Sequence, residues 1–260
     1  MRRLIIAATC AAALSACVQT KQYADVQFAP PEGEYKLLVM RPDVSVGSVT
    51  TGGLVEPRAD WTEQSRANLL AALKAQQASR GGNVLILEKR DGLATMGVNS
   101  DTVAELERLH YAVGASIALH RYSGAYLPTK RRKGLDWTLG QQAVDLGRRT
   151  GYDYALFLHA EDSFASTGRV ALQVLGAAGC IVGFCAPNIG GGGQFAYASL
   201  VDLRTGEVVW FNVLQAGTQI AGISMGDIRK PEGAAQMVDR LLNRMKPGRE
   251  VQRAMKASGQ

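Results

Sequence analysis

Residues Ala196–Val213 have the sequence AYASLVDLRTGEVVWFNV. Its first half has the two-residue period of a strand that is half-buried in a sheet, with Tyr197, Ser199, Val201 and Leu203 alternating with Ala198, Leu200 and Asp202. Arg204–Glu207 then interrupts the pattern and contains Gly206, a residue that tolerates the positive φ of a tight turn. A run of β-branched and aromatic residues follows from Val208. We therefore predict a central antiparallel hairpin.

Strands and helices alternate upstream of this hairpin. The predicted elements are a strand at Lys36–Met40, an extended arm or small hairpin at Asp43–Arg58, a helix from Asp60 to about Ser79 with Asp60 and Glu63 as a capping box, a strand at Val84–Leu87, a helix from Ser100 or Asp101 to about His120, a helix at Thr138–Thr150 capped by Asp136, and a strand at Tyr154–Ala160. An amphipathic helix at Gly233–Met245 closes the chain. This order predicts an α/β (α+β) fold, in which helices pack on a mixed sheet with a C-terminal antiparallel hairpin.

The amino terminus predicts export and lipidation. Two arginines follow Met1, and Leu4–Leu14 is an apolar run too short to span a bilayer as a permanent helix. The next residues, Leu14–Cys17, resemble a bacterial lipobox. Residues 1–16 are then a lipoprotein signal peptide, and Cys17 carries diacylglycerol and a further acyl chain such as palmitate. An ordinary secretory signal with a chance cysteine is the alternative. Val18 in place of Asp after the cysteine favours the outer membrane, facing the periplasm.

The rest of the chain divides by composition. Residues 17–35 are polar and interrupted by proline, which predicts a lipidated cysteine followed by a flexible tether. Residues 36–247 are predicted to form a single α/β domain with a glycine-rich apolar insertion at 168–193, and residues 248–260 a flexible tail. The net charge of +6 is a mild excess that suits an anionic envelope surface. Nucleic acid is not an expected partner.

Two further groups of residues are candidate sites. Cys180 and Cys185 are the cysteines that remain after the signal peptide and Cys17; in an oxidising compartment they form either a disulfide or two isolated buried thiols. The four consecutive cations Lys130, Arg131, Arg132 and Lys133 either bind an anionic surface or lie in a solvated loop. A zinc site is not expected, because two cysteines without a second ligand pair do not make one.

Val170–Gly193 is apolar, rich in glycine and almost without charge. It is either a segment that touches membrane or a neighbouring copy, or a buried helix from about Gly168 to Gly179 followed by a glycine loop. The second interpretation is the favoured one for the helix. Pro187 and the glycines exclude a conventional spanning helix.

Catalytic chemistry has one weak candidate in the sequence. His159, Glu161 and Ser163 would share one face of a strand and Asp162 the other, which could assemble an acid–base pair. His110 and His120 lie about 15 Å apart along one helix, so they cannot share a metal within it, and surface or packing roles are expected for both. The familiar hydrolase, metalloprotease and nucleotide-binding motifs are absent from the sequence. We therefore expect a non-enzyme that binds neither cofactor nor metal.

A lipidated cysteine, a KLLVM-type first strand and the motif of Leu200–Trp210 together resemble one family group. These are periplasm-facing bacterial lipoproteins with a domain similar to the amino-terminal domain of TolB, including the CsgG and LpoB lipoproteins and several uncharacterised proteobacterial lipoproteins. The resemblance implies a non-enzymatic envelope assembly, secretion or scaffold component that binds envelope proteins or itself. Activation of a peptidoglycan synthase is an alternative, and an envelope hydrolase using His159 is a further one.

Overall fold

The computed structural model describes residues 18–24, 35–80, 83–130, 134–181, 191–216 and 226–242. Its strands are β1 Val18–Ala24, β2 Lys36–Val39, β3 Asp43–Val49, β4 Val55–Pro57, β5 Asn83–Ile86, β6 Tyr154–Ala165, β7 Gln194–Asp202 and β8 Val208–Ala216. Its α-helices are α1 Ala59–Arg80, α2 Ser100–Arg121, α3 Gly140–Thr150, α4 Thr167–Ile181 and α5 Pro231–Leu242. The predicted elements are thus confirmed in type and order, with ends shifted by a few residues.

The strands form one mixed sheet in the order β1-β8-β7-β6-β2-β5, with β3 and β4 added beside β6. Strand β6 is 12 residues long and pairs in parallel with β2 along its first half and with β3 along its second half. Strand β5 pairs in parallel with β2, whereas β7, β8 and β1 continue the sheet as antiparallel neighbours. The mixed α/β sheet predicted from the sequence is confirmed.

Helices cover both faces of this sheet. On the first face, α1 and α5 pack against apolar side chains of the strands, among them Val39, Leu156 and Trp210. On the second face, α2 and α3 pack against a separate core that contains Phe157, Tyr197 and Phe211. The two cores alternate along each strand because successive side chains point to opposite faces. This alternation explains why the central hairpin could be recognised from its two-residue period.

The turn of the central hairpin forms at the residues that the sequence predicts. Gly206 has a φ of 76°, and its N–H donates to the carbonyl of Asp202 at 2.7 Å. A Cβ at this position would lie 2.5 Å from the carbonyl oxygen of Gly140, so both the conformation and the close approach require glycine. Asp43–Arg58 also forms a hairpin, β3–β4, which was one of its two predicted forms.

The helix caps differ from the predictions. Helix α1 begins at Ala59, so Asp60 lies inside the first turn, where it accepts from Arg58, and Glu63 pairs with Arg66. The capping box is therefore wrong, because nearby arginines compete for both carboxylates. The N-cap of α2 is Asn99, whose side chain accepts from the N–H of Thr102 at 2.8 Å.

For α3 the predicted cap and start were also wrong. Asp136 lies four residues before the helix, which begins at Gly140. Thr138, predicted to lie in the first turn, instead accepts from the N–H of Gly140 through Oγ1 at 2.8 Å. The same hydroxyl donates to the carbonyl of Gly206, so the residue bridges the helix start to the hairpin turn.

The predicted tether contains a strand. Val18–Ala24 forms β1, which pairs along its whole length with β8, from Val18 opposite Ala216 to Ala24 opposite Trp210. The polar side chains of this segment predicted a tether, but strand pairing uses backbone groups and does not require apolar side chains. Without β1, β8 would present an unpaired edge of the sheet. Residues 25–34 and the predicted tail 248–260 lie outside the described residues. Among the residues described, no helix is long and apolar enough to cross a membrane.

Candidate functional site

The residues proposed as a catalytic set lie at the far half of β6. The two-residue period of the strand predicted the direction of three of these side chains correctly. His159 and Glu161 contact each other on one face of the sheet, and Asp162 contacts Gln194 on the other face. Ser163 bonds instead to the backbone of Gly193, donating to its carbonyl at 3.1 Å and accepting from its N–H at 2.9 Å. The serine therefore holds the entry to β7 and takes no part in a group with His159.

His159 is held between two carboxylates. Its Nδ1 lies 2.8 Å from Oδ2 of Asp43, and its Nε2 lies 3.1 Å from Oε1 of Glu161. The imidazole is 3% exposed, and the rings of Tyr111 and Tyr197 both have centroids 4.9 Å from it. Because β3 and β6 are parallel and Asp43 lies directly opposite His159, the first ion pair also fastens these two strands together.

These contacts control protonation in the group. Burial opposes a charge on His159, but the hydrogen bonds to Asp43 and Glu161 outweigh it and raise its pKa above the ordinary value. The same bonds lower the pKa of both carboxyls: they overcome the opposing effect of burial at Asp43 and are the largest cause at Glu161. The two carboxylates thus favour the protonated imidazole of His159, and the hydrogen bonds connect β3 with β6.

A second histidine lies on the same face and was not predicted to form a polar contact. Nε2 of His110 on α2 lies 2.7 Å from Oγ of Ser199 on β7, and the imidazole stacks on Phe157 with centroids 4.7 Å apart. Burial, followed by the charge of His159, lowers the pKa of His110 to about 3, so the ring is neutral. The two-residue period placed Ser199 on the Tyr197 face, and that was the available signal for this contact.

The chemistry open to this histidine cluster, defined as Asp43, His110, His159, Glu161 and Ser199, is limited by burial. The hydroxyl of Ser199 is 1% exposed and His110 is 2% exposed, so a substrate carbonyl has no access to the pair. Both nitrogens of His159 already bind carboxylates. Within the described ranges, no group of three or more histidine, cysteine, aspartate or glutamate side chains could hold a metal ion.

The other predicted site residues are only partly described. Lys130 ends a short 3-10 turn and donates to the carbonyl of Asp136 at 2.5 Å, while its ammonium lies 5.0 Å from the ring centroid of Trp137. Arg131, Arg132 and Lys133 lie outside the described residues, as do Cys17 and Cys185. Cys180 lies in the last turn of α4. Surface binding by the cation run, the disulfide and lipidation stay predictions.

His120 has the expected packing role. It is buried near the end of α2, and its Nδ1 accepts from the N–H of Leu127 at 2.9 Å. The imidazole also makes an edge contact with the ring of Tyr126. This histidine therefore fixes the chain as it leaves the helix.

Helix α4 carries an exposed apolar surface. Leu172, Val174 and Leu175 are 43%, 51% and 67% exposed, so the prediction of a buried helix from Gly168 was wrong for its described side chains. The helix itself begins at Thr167, close to the expected start. The apolar composition of the helix favours burial, but these three side chains are exposed in the described structure.

The tip of the β3–β4 hairpin lies beside the start of α4. Arg169 donates to the carbonyl of Thr50 at 3.1 Å, and the N–H of Ser166 donates to the carbonyl of Val49 at 2.9 Å. Leu54 and Val55 at this tip are 75% and 56% exposed. Two adjoining segments thus present apolar side chains to solvent at the same place.

This place is one end of the sheet, which we call the α4 end. Here β3 ends at Val49 beside Ala165, and β7 begins at Gln194 opposite Ala216, the last residue of β8. Ala216 is also opposite Val18, the first residue of β1. Val18, which directly follows the predicted lipidation site Cys17 in sequence, therefore lies at the same end of the sheet as the exposed apolar side chains.

Comparison with known proteins identifies no family for this chain. No family model and no curated protein matches it. Among solved structures it is similar to the PelC dodecamer from Paraburkholderia phytofirmans, with 12% identity, a TM-score of 0.37 and coverage of 90% of this chain and 99% of that chain. It is similar also to lipoprotein GNA1162 from Neisseria meningitidis, with 14% identity, a TM-score of 0.36 and coverage of 81% and 97%. Likeness of this size carries no argument about function, and the resemblance to the TolB-related lipoproteins stays a prediction.

Proposed function

We propose that this chain is a lipid-anchored, non-enzymatic component of the bacterial cell envelope, whose domain is held with its α4 end against a bilayer. One observation carries the proposal: Leu172, Val174 and Leu175 are exposed at the same end of the sheet as Val18. A lipid on Cys17 would thus be joined directly to the end of the sheet that presents apolar side chains.

The two attachments support each other energetically. Each buried methylene of an acyl chain contributes about 0.8 kcal/mol to membrane binding. Partial burial of three exposed aliphatic side chains adds roughly 1–2 kcal/mol each, at about 25 cal/mol per Å² of apolar surface. The acyl chains supply the affinity, and α4 and the hairpin tip set the orientation of the domain on the membrane.

The histidine cluster supports a binding role over a catalytic one. His159 serves as a strand crosslink, and the Ser199–His110 pair is shielded by Phe157 and Tyr197. A domain fixed on a membrane meets envelope partners at raised effective concentration, and this needs no chemistry of its own. We therefore propose tethering of other envelope components as the function, with hydrolysis disfavoured.

Metabolic labelling with palmitate tests the anchor. The full chain, expressed in a bacterial host, should incorporate label, lose residues 1–16 and fractionate with membranes. Cys17→Ser should abolish labelling, because the acylated sulfur is removed. Cys180→Ser is the matched control and should be labelled like the unchanged chain. An unchanged chain that carries an unmodified amino-terminal thiol and no label would contradict the proposal.

A further inference from the structure

A charged crevice lies beside the sheet, next to Asp43 of the histidine cluster and distant from the α4 end. It has a volume of about 400 Å³ and is lined by residues of the β2–β3 junction, of α1 and of the segment after β5. Four of the lining side chains are cations: Arg41, Arg66, Lys89 and Arg90. Two carboxylates, Glu63 and Glu88, also reach it.

The position of the crevice follows from the topology. Strands β2 and β5 are parallel neighbours. The chain that follows β2 goes on to α1 on the first face, whereas the chain that follows β5 goes on to α2 on the second face. The carboxyl ends of the two strands therefore open to opposite sides of the sheet. In open α/β sheets, such a switch point is where ligands bind.

Most of the charges in the crevice are already paired. Arg66 pairs with Glu63 and also donates to the carbonyls of Pro42 and Val44, each at 3.3 Å. Arg90 donates to Oε2 of Glu107 at 2.6 and 2.8 Å, and Glu88 pairs with Lys74 at 2.6 Å. These ion pairs fix Arg66 and Arg90 at the rim and leave them little capacity for a further strong contact.

Two cations remain. The side chains of Arg41 and Lys89 make no hydrogen bond or ion pair with any other residue that the structure describes. Arg41 is partly buried. Its pKa is lowered first by burial and then by the positive charge of Arg66, while Glu107 and Glu63 act in the opposite direction. A half-buried guanidinium without a hydrogen-bonded partner is stabilised by an anion that enters, because charge-assisted hydrogen bonds are among the stronger ones.

We infer that this crevice binds the phosphate group of a soluble molecule, with Arg41 and Lys89 as its main contacts. Two cationic side chains without a hydrogen-bonded partner match the two negative charges of a phosphate monoester, and a guanidinium matches its oxygens in a bidentate manner. Glu63 and Glu88 oppose binding, which favours a small, highly charged anion over a weakly charged one.

A lipid headgroup in the anchoring bilayer is a less suitable source of this phosphate. Asp43, two residues after Arg41, lies opposite His159, and β6 continues for six more residues to Ala165 at the α4 end. At about 3.3 Å per residue, the crevice is about 20 Å from that end. This step alone rests on the proposed membrane orientation; the crevice and its charges do not.

Calorimetric titration of the mature lipoprotein in neutral detergent with inorganic pyrophosphate tests the inference. We expect saturable binding that Arg41→Gln weakens about tenfold or more, since the central contact is lost. Arg148→Gln removes an exposed cation from α3 and should leave the affinity unchanged. Glu88→Gln should strengthen binding several-fold, and this gain cannot arise from misfolding.

Three results would overturn the inference. One is the absence of saturable binding, and another is equal affinity in the unchanged protein and in Arg41→Gln. The third concerns the source of the phosphate: the Cys17→Ser chain could bind phosphatidylglycerol vesicles through Arg41 while ignoring pyrophosphate. That pattern would assign the crevice to a lipid headgroup. Because none of these readouts uses acylation, they are independent of the palmitate experiment.

Discussion

At the scale of single residues, Asp162 has the most unusual environment among the buried carboxyls. It is 4% exposed; Oδ2 accepts from Nε2 of Gln194 at 2.9 Å, and Oδ1 has no hydrogen-bond partner among the described residues. Burial, with a smaller contribution from Asp227, raises the pKa of Asp162 to about 7, although the hydrogen bond from Gln194 and, more weakly, the charge of Arg229 act against this. The folded protein therefore holds a proton on Asp162 that the unfolded chain releases near pH 4.

This residue makes stability depend on pH. Between about pH 4 and pH 7 the folded state binds one more proton than the unfolded state, so the free energy of unfolding falls as pH rises, by up to about 1.4 kcal/mol per pH unit. The whole effect is on the order of 4 kcal/mol. Asp162→Asn removes it, so the variant should gain stability relative to the unchanged protein as pH rises from 4 to 8.

Urea denaturation at several pH values measures this difference. Asp239→Asn, an exposed change on α5, is the control for the loss of one negative charge. Curves of unfolding free energy against pH that run parallel for Asp162→Asn and the unchanged protein would show that Asp162 is ionised in the folded state. In that case the hydrogen bond from Gln194 and the charge of Arg229 would outweigh the effect of burial on the pKa of Asp162.

At the scale of elements, α2 packs closely on the sheet at Gly114, where Tyr197 leaves no room for a side chain. A Cβ on Gly114 would lie 2.1 Å from Cε2 of Tyr197, and the hydroxyl of Tyr197 donates to the carbonyl of Tyr111 at 2.9 Å. Gly114→Ala would push the helix from β7. Overpacking costs about 1–3 kcal/mol against a gain of about 1 kcal/mol from helix propensity, so we expect a net loss of up to about 2 kcal/mol.

A double-mutant cycle gives the control for this contact. Tyr197→Leu alone should destabilise the protein by removing a buried ring and its hydrogen bond. In the Tyr197→Leu background, Gly114→Ala should cost less than it does alone, because the ring that it meets is gone. Additive losses in chemical denaturation would show that the helix accommodates the methyl group without Tyr197.

The same element shows what the sequence could and could not predict. Val103, Leu106 and Ile117 recur at three- and four-residue steps in the sequence and are buried in α2, because apolar residues at helical spacing are a direct signal of burial. Leu109 and Val113 are only partly buried, and His110 and Gly114 occupy the centre of the contact instead. A histidine bonded to Ser199 and a glycine beneath a tyrosine depend on the partner strand, which local periodicity does not reveal.

Helix α4 and strand β1 were misjudged for related reasons. Apolar composition predicted burial for α4, but burial requires a surface that packs on the side chains. Leu172, Val174 and Leu175 are exposed instead. Polar composition predicted a tether for β1, but strand pairing uses backbone groups that every residue carries. The composition of a segment indicates which environment it favours, but the neighbours of the segment depend on the topology of the fold.

At the scale of the whole molecule, three regions occupy different parts of one sheet. The histidine cluster fastens β3, β6 and β7 to α2, the crevice opens where β2 and β5 end, and the α4 end gathers the exposed apolar side chains with the start of β1. The fold class followed from the sequence because element order and period are local. The α4 end and the crevice did not, because each combines segments that are distant in the chain.

We propose that the α4 end of the domain faces the bilayer. The most direct test is a nitroxide spin label at Leu175→Cys in the acylated protein on vesicles, with Cys180 and Cys185 replaced by serine. The matched control is Thr205→Cys, an exposed position in the β7–β8 turn at the opposite end of the sheet. We predict that the Leu175 label is accessible to oxygen and shielded from a water-soluble nickel relaxant, and that the Thr205 label shows the reverse. Equal exposure of both labels to the nickel relaxant would contradict the account.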